Sequence, residues 1–313
     1  MSEKPLKIEQ ADIIVPVLRS GETILVFQRH GKYNRDRNAH DAGSLFANDA
    51  TRIAEGDKKW FQNVLKRTEI AEDTYVLFVS SDTQYAGKGF RSLETGQLAQ
   101  EAAREVMETL GVDPDEHIIN FNTNFKTARF DETNQDIRPV AGIREPDIFN
   151  PADSAYIEHL QETHGYADEE AKTGISPKGW AFHEMDAEVD VRETTGAEGQ
   201  EDLIGRTKAS LAILERYSRV WHANNPDKNL IIWATSHYDT INPLVKEVDG
   251  RLRDVDGSLS DTYQPVDYGG GIIMKFSRDR EATIETREHH KKKIDIGRVA
   301  TRNSVTRLGQ PRH

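Results

Sequence analysis

Two histidines and two arginines of this 313-residue chain stand where short apolar runs end. The run Ile24–Phe27 (ILVF) leads into Gln28-Arg29-His30-Gly31. Tyr75–Val79 (YVLFV) leads into Ser80-Ser81-Asp82, and Arg91 follows just ahead of a helical pattern. Leu230–Ala234 (LIIWA) leads into Thr235-Ser236-His237. Together these residue types can handle a phosphate ester. A neutral imidazole can attack phosphorus and form a covalent intermediate. Guanidinium groups grip phosphate oxygens two at a time. A second imidazolium stabilises the charge that spreads over the equatorial oxygens in the transition state. A glycine such as Gly31 lets backbone come close to the bound group.

The elements that must position these groups are legible as strands and helices in alternation. The three apolar runs are of strand length, rich in β-branched and aromatic residues, and apolar throughout, as strands buried on both faces are. Residues Ile13–Leu18 form another such run before the turn-like Arg19-Ser20-Gly21-Glu22, and an additional strand, hairpinned with Ile24–Phe27, is expected there. Leu98, Ala102, Val106 and Leu110 repeat at helical spacing and stop at Gly111. Leu203, Leu211, Leu214, Tyr217 and Trp221 do the same, and Trp60–Arg67 forms a weaker helix. The pattern predicts a three-layer α/β/α fold with a mainly parallel central sheet. Ligands of such sheets bind at the carboxyl ends of the strands. His30, Arg29 and His237 are delivered there, and Arg91 sits at the positive end of a helix beginning near Ser92.

Residues 113–201 are rich in Pro, Asn, Asp and Glu, show little periodicity, and are expected to be an inserted loop and helix cap. Residues 1–286 are expected to form a single α/β domain, and 287–313 a basic, poorly ordered tail. The acidic run 184–202 is expected to be a solvated face. Gly269-Gly270-Gly271 lacks a following Lys-Ser/Thr and predicts a tight bend before a strand Ile272–Phe276.

The bulk composition narrows the partners. The net charge is −12, from 41 basic and 53 acidic residues. The tail from Arg287 carries eight basic against two acidic residues, which leaves 33 against 51 for the rest. An acidic body repels nucleic acid and anionic membrane, so neither is expected as a partner. The start, MSEKPLKIEQ, is polar and no run of 18 apolar residues occurs, so a soluble, cytoplasmic protein is expected. Cysteine is absent, which excludes thiolate chemistry and cysteine-ligated metals. No zinc-like or two-metal His/Asp spacing stands out, so no metal and no cofactor are expected. His289-His290 beside Lys291–Lys293 is expected to be a solvated stretch of tail. The sequence sets no oligomeric state.

The segment ILVFQRHG resembles the signature of the histidine phosphatase superfamily, whose fold is that of phosphoglycerate mutase. The resemblance continues in order over residues 11 to about 275. Ser80-Ser81-Asp82 with Arg91 and Thr95 is similar to the family's second-arginine segment. Ile143-Arg144-Glu145-Pro146-Asp147 is similar to its acid segment, and LIIWATSH to the strand bearing its second histidine. The resemblance implies a metal-independent phosphatase that hydrolyses a small phosphomonoester through a phosphohistidine on His30. Arg29, Arg91 and His237 would bind phosphate and Glu145 would donate the proton. Asp239, two residues after His237, is the alternative acid. The chain also departs from the pattern. Lys32-Tyr33-Asn34 follows Gly31 where the family has a small hydroxyl residue and then Asn, and Tyr238 stands where it has Gly, which must reshape the pocket. A phosphoglycerate-mutase-like phosphotransferase and a catalytically weak phospho-ligand-binding module are the alternatives; turnover of a generic aryl phosphate separates the module from an enzyme.

Overall fold

A computed structural model describes residues 13–36, 38–119, 137–145, 189–195, 197–249, 266–276, 281–285 and 291–296, with 155, 156, 159 and 163. Seven strands form one sheet: β1 (Thr23–Arg29), β2 (Thr74–Ser80), β3 (Ile137–Pro139), β4 (Asn229–Ser236), β5 (Gly271–Phe276), β6 (Glu281–Glu285) and β7 (Lys291–Asp295), in the order β3-β2-β4-β1-β5-β6-β7. The block β3-β2-β4-β1 is parallel, and β5, β6 and β7 extend it antiparallel.

The four longest helices among the described residues cover it: α1 (Ala47–Leu65), α2 (Arg91–Thr109), α3 (Gln200–Asn224) and α4 (Tyr238–Asp249). Side chains alternate across a strand, so each strand feeds both faces. Ile24 and Val26 of β1 pack with Trp60, Phe61 and Met107 of α1 and α2. Leu25 and Phe27 pack with Leu211, Leu214, Ile241 and Leu244 of α3 and α4. The layers are therefore α/β/α, as the alternation predicts. Val26, Trp233 and Phe78 lie in register across β1, β4 and β2. Trp233 stacks on Phe61 at 5.0 Å, which ties the centre of the sheet to α1.

Three expectations change. Residues 13–18 form no strand, because β4 and β5 already occupy both edges of β1. Instead Ile13 is buried, and the carbonyl of Ile14 accepts a bond from the Trp60 indole N–H at 2.7 Å. The basic segment from Arg287 contributes β7, since Ile294 and Ile296 alternate into the core while Lys292, Lys293 and Asp295 face solvent. Three consecutive lysines had hidden that period-2 signal. Within 113–201, Ile137–Pro139 joins the sheet beside β2 instead of capping it. The rest of the tail, His289, His290 and most of 113–201 lie outside the described residues. Among the described residues, no helix is long and apolar enough to cross a membrane.

Candidate active site

The strand order places the carboxyl ends of β2, β4 and β1 side by side. Arg29 pairs with Ser236 and Ser80 with Thr235, so the residues that follow emerge together. His30 comes from β1, Ser81 from β2 and His237 from β4. The imidazole rings of His30 and His237 lie 5.1 Å apart and both side chains are buried. Arg91, the first residue of α2, is fully buried between them.

Hydrogen bonds settle which nitrogen of each ring carries the proton. His30 Nδ1 lies 2.7 Å from the Gly31 carbonyl, which can only accept, so Nδ1 bears the hydrogen. His30 Nε2 is then the lone-pair nitrogen and accepts from Arg91 Nε at 3.1 Å. For His237, Nδ1 faces the donor Arg91 Nη2 at 3.3 Å, and Nε2–H donates to Ser81 Oγ at 2.9 Å. Burial, followed by the charge of Arg91, holds both imidazoles well below the usual histidine range. Both rings are therefore neutral at pH 7, and His30 presents an unprotonated Nε2.

Two carboxyl groups complete the centre. Glu145 forms an ion pair with Arg91 Nη2, and its Oε1 lies 4.0 Å from His237 Nδ1. Asp239, in the first turn of α4, is buried, and burial together with the nearby Glu145 pushes its carboxyl up to about 8. Its Oδ2 has no hydrogen-bond partner among the described residues. The same holds for two buried guanidinium donors, Arg29 Nε and Arg91 Nη1. Buried N–H groups of a cation are seldom left without an acceptor.

The surroundings show why local sequence builds this place. Gly31 N–H donates to Thr95 Oγ1 at 3.1 Å, and Thr95 Oγ1 donates to the Arg91 carbonyl, which clamps the loop after His30 to α2. A Cβ on Gly31 would lie 2.5 Å from Ile53 Cδ1 and 2.7 Å from Asp49 Oδ2. Close packing on α1 is therefore one reason for a glycine there. The segment carrying Glu145 hangs on Arg206 of α3. Its Nη1 reaches the carbonyls of Gly142 and Arg144 at 3.0 and 3.1 Å, while Nε and Nη2 grip Glu198.

The structure thus brings together every residue singled out: Arg29, His30, Gly31, Arg91, Glu145, His237 and Asp239. Tyr238, the departure after the second histidine, lies against Arg29, 4.7 Å from its guanidinium to the ring centre. Sequence reasoning missed Tyr268, whose ring lies 3.8 Å from the Arg29 guanidinium and 5.8 Å from the His30 ring. Its signal was the glycine triplet. Gly269 N–H donates to the Arg29 carbonyl and Gly271 pairs with Gln28, so the bend delivers the residue before it to the site. Ser81, Ser92 and Thr83, which support His237 and Glu145, were missed as well. Among the described residues no group of three or more His, Asp or Glu is arranged to hold a metal ion.

No protein-family model matches the chain, and no curated protein matches it in sequence. Solved structures do align with it. A phosphoglycerate mutase from Bacillus anthracis matches at 15% identity over 93% of this chain and 98% of its own, with a TM-score of 0.42. A mycobacterial glucosyl-3-phosphoglycerate phosphatase matches at 14% identity over 88% and 99%, with a TM-score of 0.43. A multiple inositol polyphosphate phosphatase from Bifidobacterium longum matches at 9% identity over 88% and 87%, with a TM-score of 0.47.

Proposed function

We propose that this chain is a phosphomonoesterase of the histidine phosphatase type, acting on a small phosphorylated molecule. The observation that carries the reading is the state of His30. Its ring is buried, its Nδ1–H is tied to the Gly31 carbonyl, and its neutral Nε2 points at a guanidinium. Such a nitrogen is prepared to attack phosphorus, and the guanidinium beside it is prepared to hold the oxygens. Arg29 Nε and Arg91 Nη1, buried donors lacking an acceptor among the described residues, suit a phosphate group.

In the reaction so inferred, His30 Nε2 forms a bond to phosphorus as the ester P–O bond breaks. Arg29 and Arg91 carry the charge of the transferring group, and His237 holds Arg91 in place through Nδ1. The leaving oxygen takes a proton from a carboxyl group. Water then attacks the phosphohistidine, returns its proton to that carboxylate, and phosphate departs.

The sequence resemblance favours Glu145 as the donor, but the two carboxyls differ in surroundings. Glu145 is engaged as the ion-pair partner of Arg91, whereas Asp239, raised to about 8, holds a proton at neutral pH. A carboxyl that stays protonated near neutrality in a buried site can serve as a general acid. We therefore assign proton donation to Asp239. Glu145 holds Arg91 through Nη2, which leaves Nη1 for a phosphate oxygen.

Orthovanadate and inorganic phosphate test the clamp. Both should inhibit hydrolysis of p-nitrophenyl phosphate competitively, and at a hundredfold excess over Kd should stabilise the fold by about 2.7 kcal/mol. Arg91→Ala should abolish that stabilisation. Oxyanions that neither inhibit nor stabilise the wild type would rule the reading out.

A further inference from the structure

Two half-buried tyrosines from separate loops flank the His30 ring, and a third packs on one of them. Tyr33 follows β1 and lies 5.3 Å from that ring, edge to face. Tyr268 precedes β5 and lies 5.8 Å from it. Tyr85, after β2, meets Tyr33 edge to face at 5.1 Å. Arg35 binds the three into one collar. Its guanidinium lies over Tyr33 at 5.5 Å and donates to the Tyr268 hydroxyl at 2.7 Å, and its backbone carbonyl accepts from the Tyr85 hydroxyl at 3.0 Å. Arg91 rests beneath Tyr33 and Tyr85, at 4.4 and 5.3 Å.

Resting on the phosphatase reading above, we propose that this collar selects aryl phosphates, whose leaving group is a planar ring one oxygen away from phosphorus. Burying His30 and Arg91 puts the transferring phosphoryl group behind the collar, so its ester substituent lies among these rings. The Tyr85 hydroxyl donates to the Arg35 carbonyl and the Tyr268 hydroxyl accepts from the Arg35 guanidinium, so Arg35 fixes both rings in place. An aromatic ring gains from each offset or edge-to-face contact, and further from a guanidinium over its face. Tyr33 and Tyr268 lie against the nucleophile's own ring, so recognition falls directly beside phosphorus and not a sugar's length away.

The test is competitive inhibition by phosphonates, which carry carbon in place of the ester oxygen and are not hydrolysed. Benzylphosphonate places an aromatic ring at the collar, and cyclohexylmethylphosphonate places an aliphatic ring of like size there. Inorganic phosphate reports the clamp alone. Benzylphosphonate should inhibit at about tenfold lower concentration than the cyclohexyl compound, the size expected for two aromatic contacts. Tyr33→Phe should keep that preference and Tyr33→Leu should remove most of it. Equal inhibition of the wild type by the two phosphonates, with phosphate still inhibiting, overturns the collar's role and leaves the phosphatase reading standing. Failure of phosphate and both phosphonates to inhibit would overturn that reading as well.

Discussion

Asp239 and Glu145 are both carboxyls in one buried cluster, yet their neighbours give them different work. Asp239 acts as an acid only while protonated, and its carboxyl is raised to about 8. Its contribution is therefore complete well below pH 8 and is lost as pH rises through that value. His30 must be neutral to attack, and burial and Arg91 hold it well below the usual histidine range, so the acid limb lies below pH 6.5. kcat/KM for an alkyl phosphate should accordingly be flat near neutrality and fall above about pH 8. Asp239→Asn should lower it by about 10²–10⁴-fold and remove the alkaline limb. Turnover of p-nitrophenyl phosphate, whose leaving group needs little protonation, should change far less. The same selective loss in Glu145→Gln, with Asp239→Asn affecting both substrates alike, would return the role to Glu145. His30, Arg29 and His237 could be found from sequence because each lies within a residue of the end of an unmistakable buried strand. For Tyr268 the glycine triplet marks the bend, but the pairing of β1 with β5 that carries the bend to the site is encoded by no local pattern.

At the level of elements, the segment 141–145 is held less by its own conformation than by α3. Arg206 is buried, bridges Glu198, and caps the carbonyls of Gly142 and Arg144. Gly142 is pressed so closely on α3 that a Cβ would lie 1.7 Å from Ser210 Oγ. Removing one partner of a buried ion pair leaves the other charge stranded. Arg206→Met should therefore cost about 3–5 kcal/mol in urea unfolding. If the variant is within 0.5 kcal/mol of wild type, the size of an ordinary surface substitution, this anchoring is wrong. The core strands and the main helices were legible because their apolar periods are strong. The short strand β3 was not, with only three residues in a polar stretch, and β7 was obscured by its lysines. Residues 13–18 read as a strand because apolar content alone does not show that both edges of β1 are taken.

Over the whole molecule, an acidic chain of net charge −12 concentrates Arg29 and Arg91 around two neutral imidazoles at one edge of the sheet. The order β2-β4-β1 does this by setting three carboxyl ends next to one another. Every part of the functional reading depends on one bond, that between phosphorus and His30 Nε2. It is tested most directly by mixing the protein with an aryl phosphate, quenching in alkali within a turnover, and mapping the modified peptide by mass spectrometry. The account predicts one phosphoryl group on the peptide containing His30, lost on brief acid treatment and absent from a folded His30→Ala protein that no longer turns over. Rapid hydrolysis with no phosphorylated His30 peptide at any quench time, or undiminished turnover by His30→Ala, would contradict it.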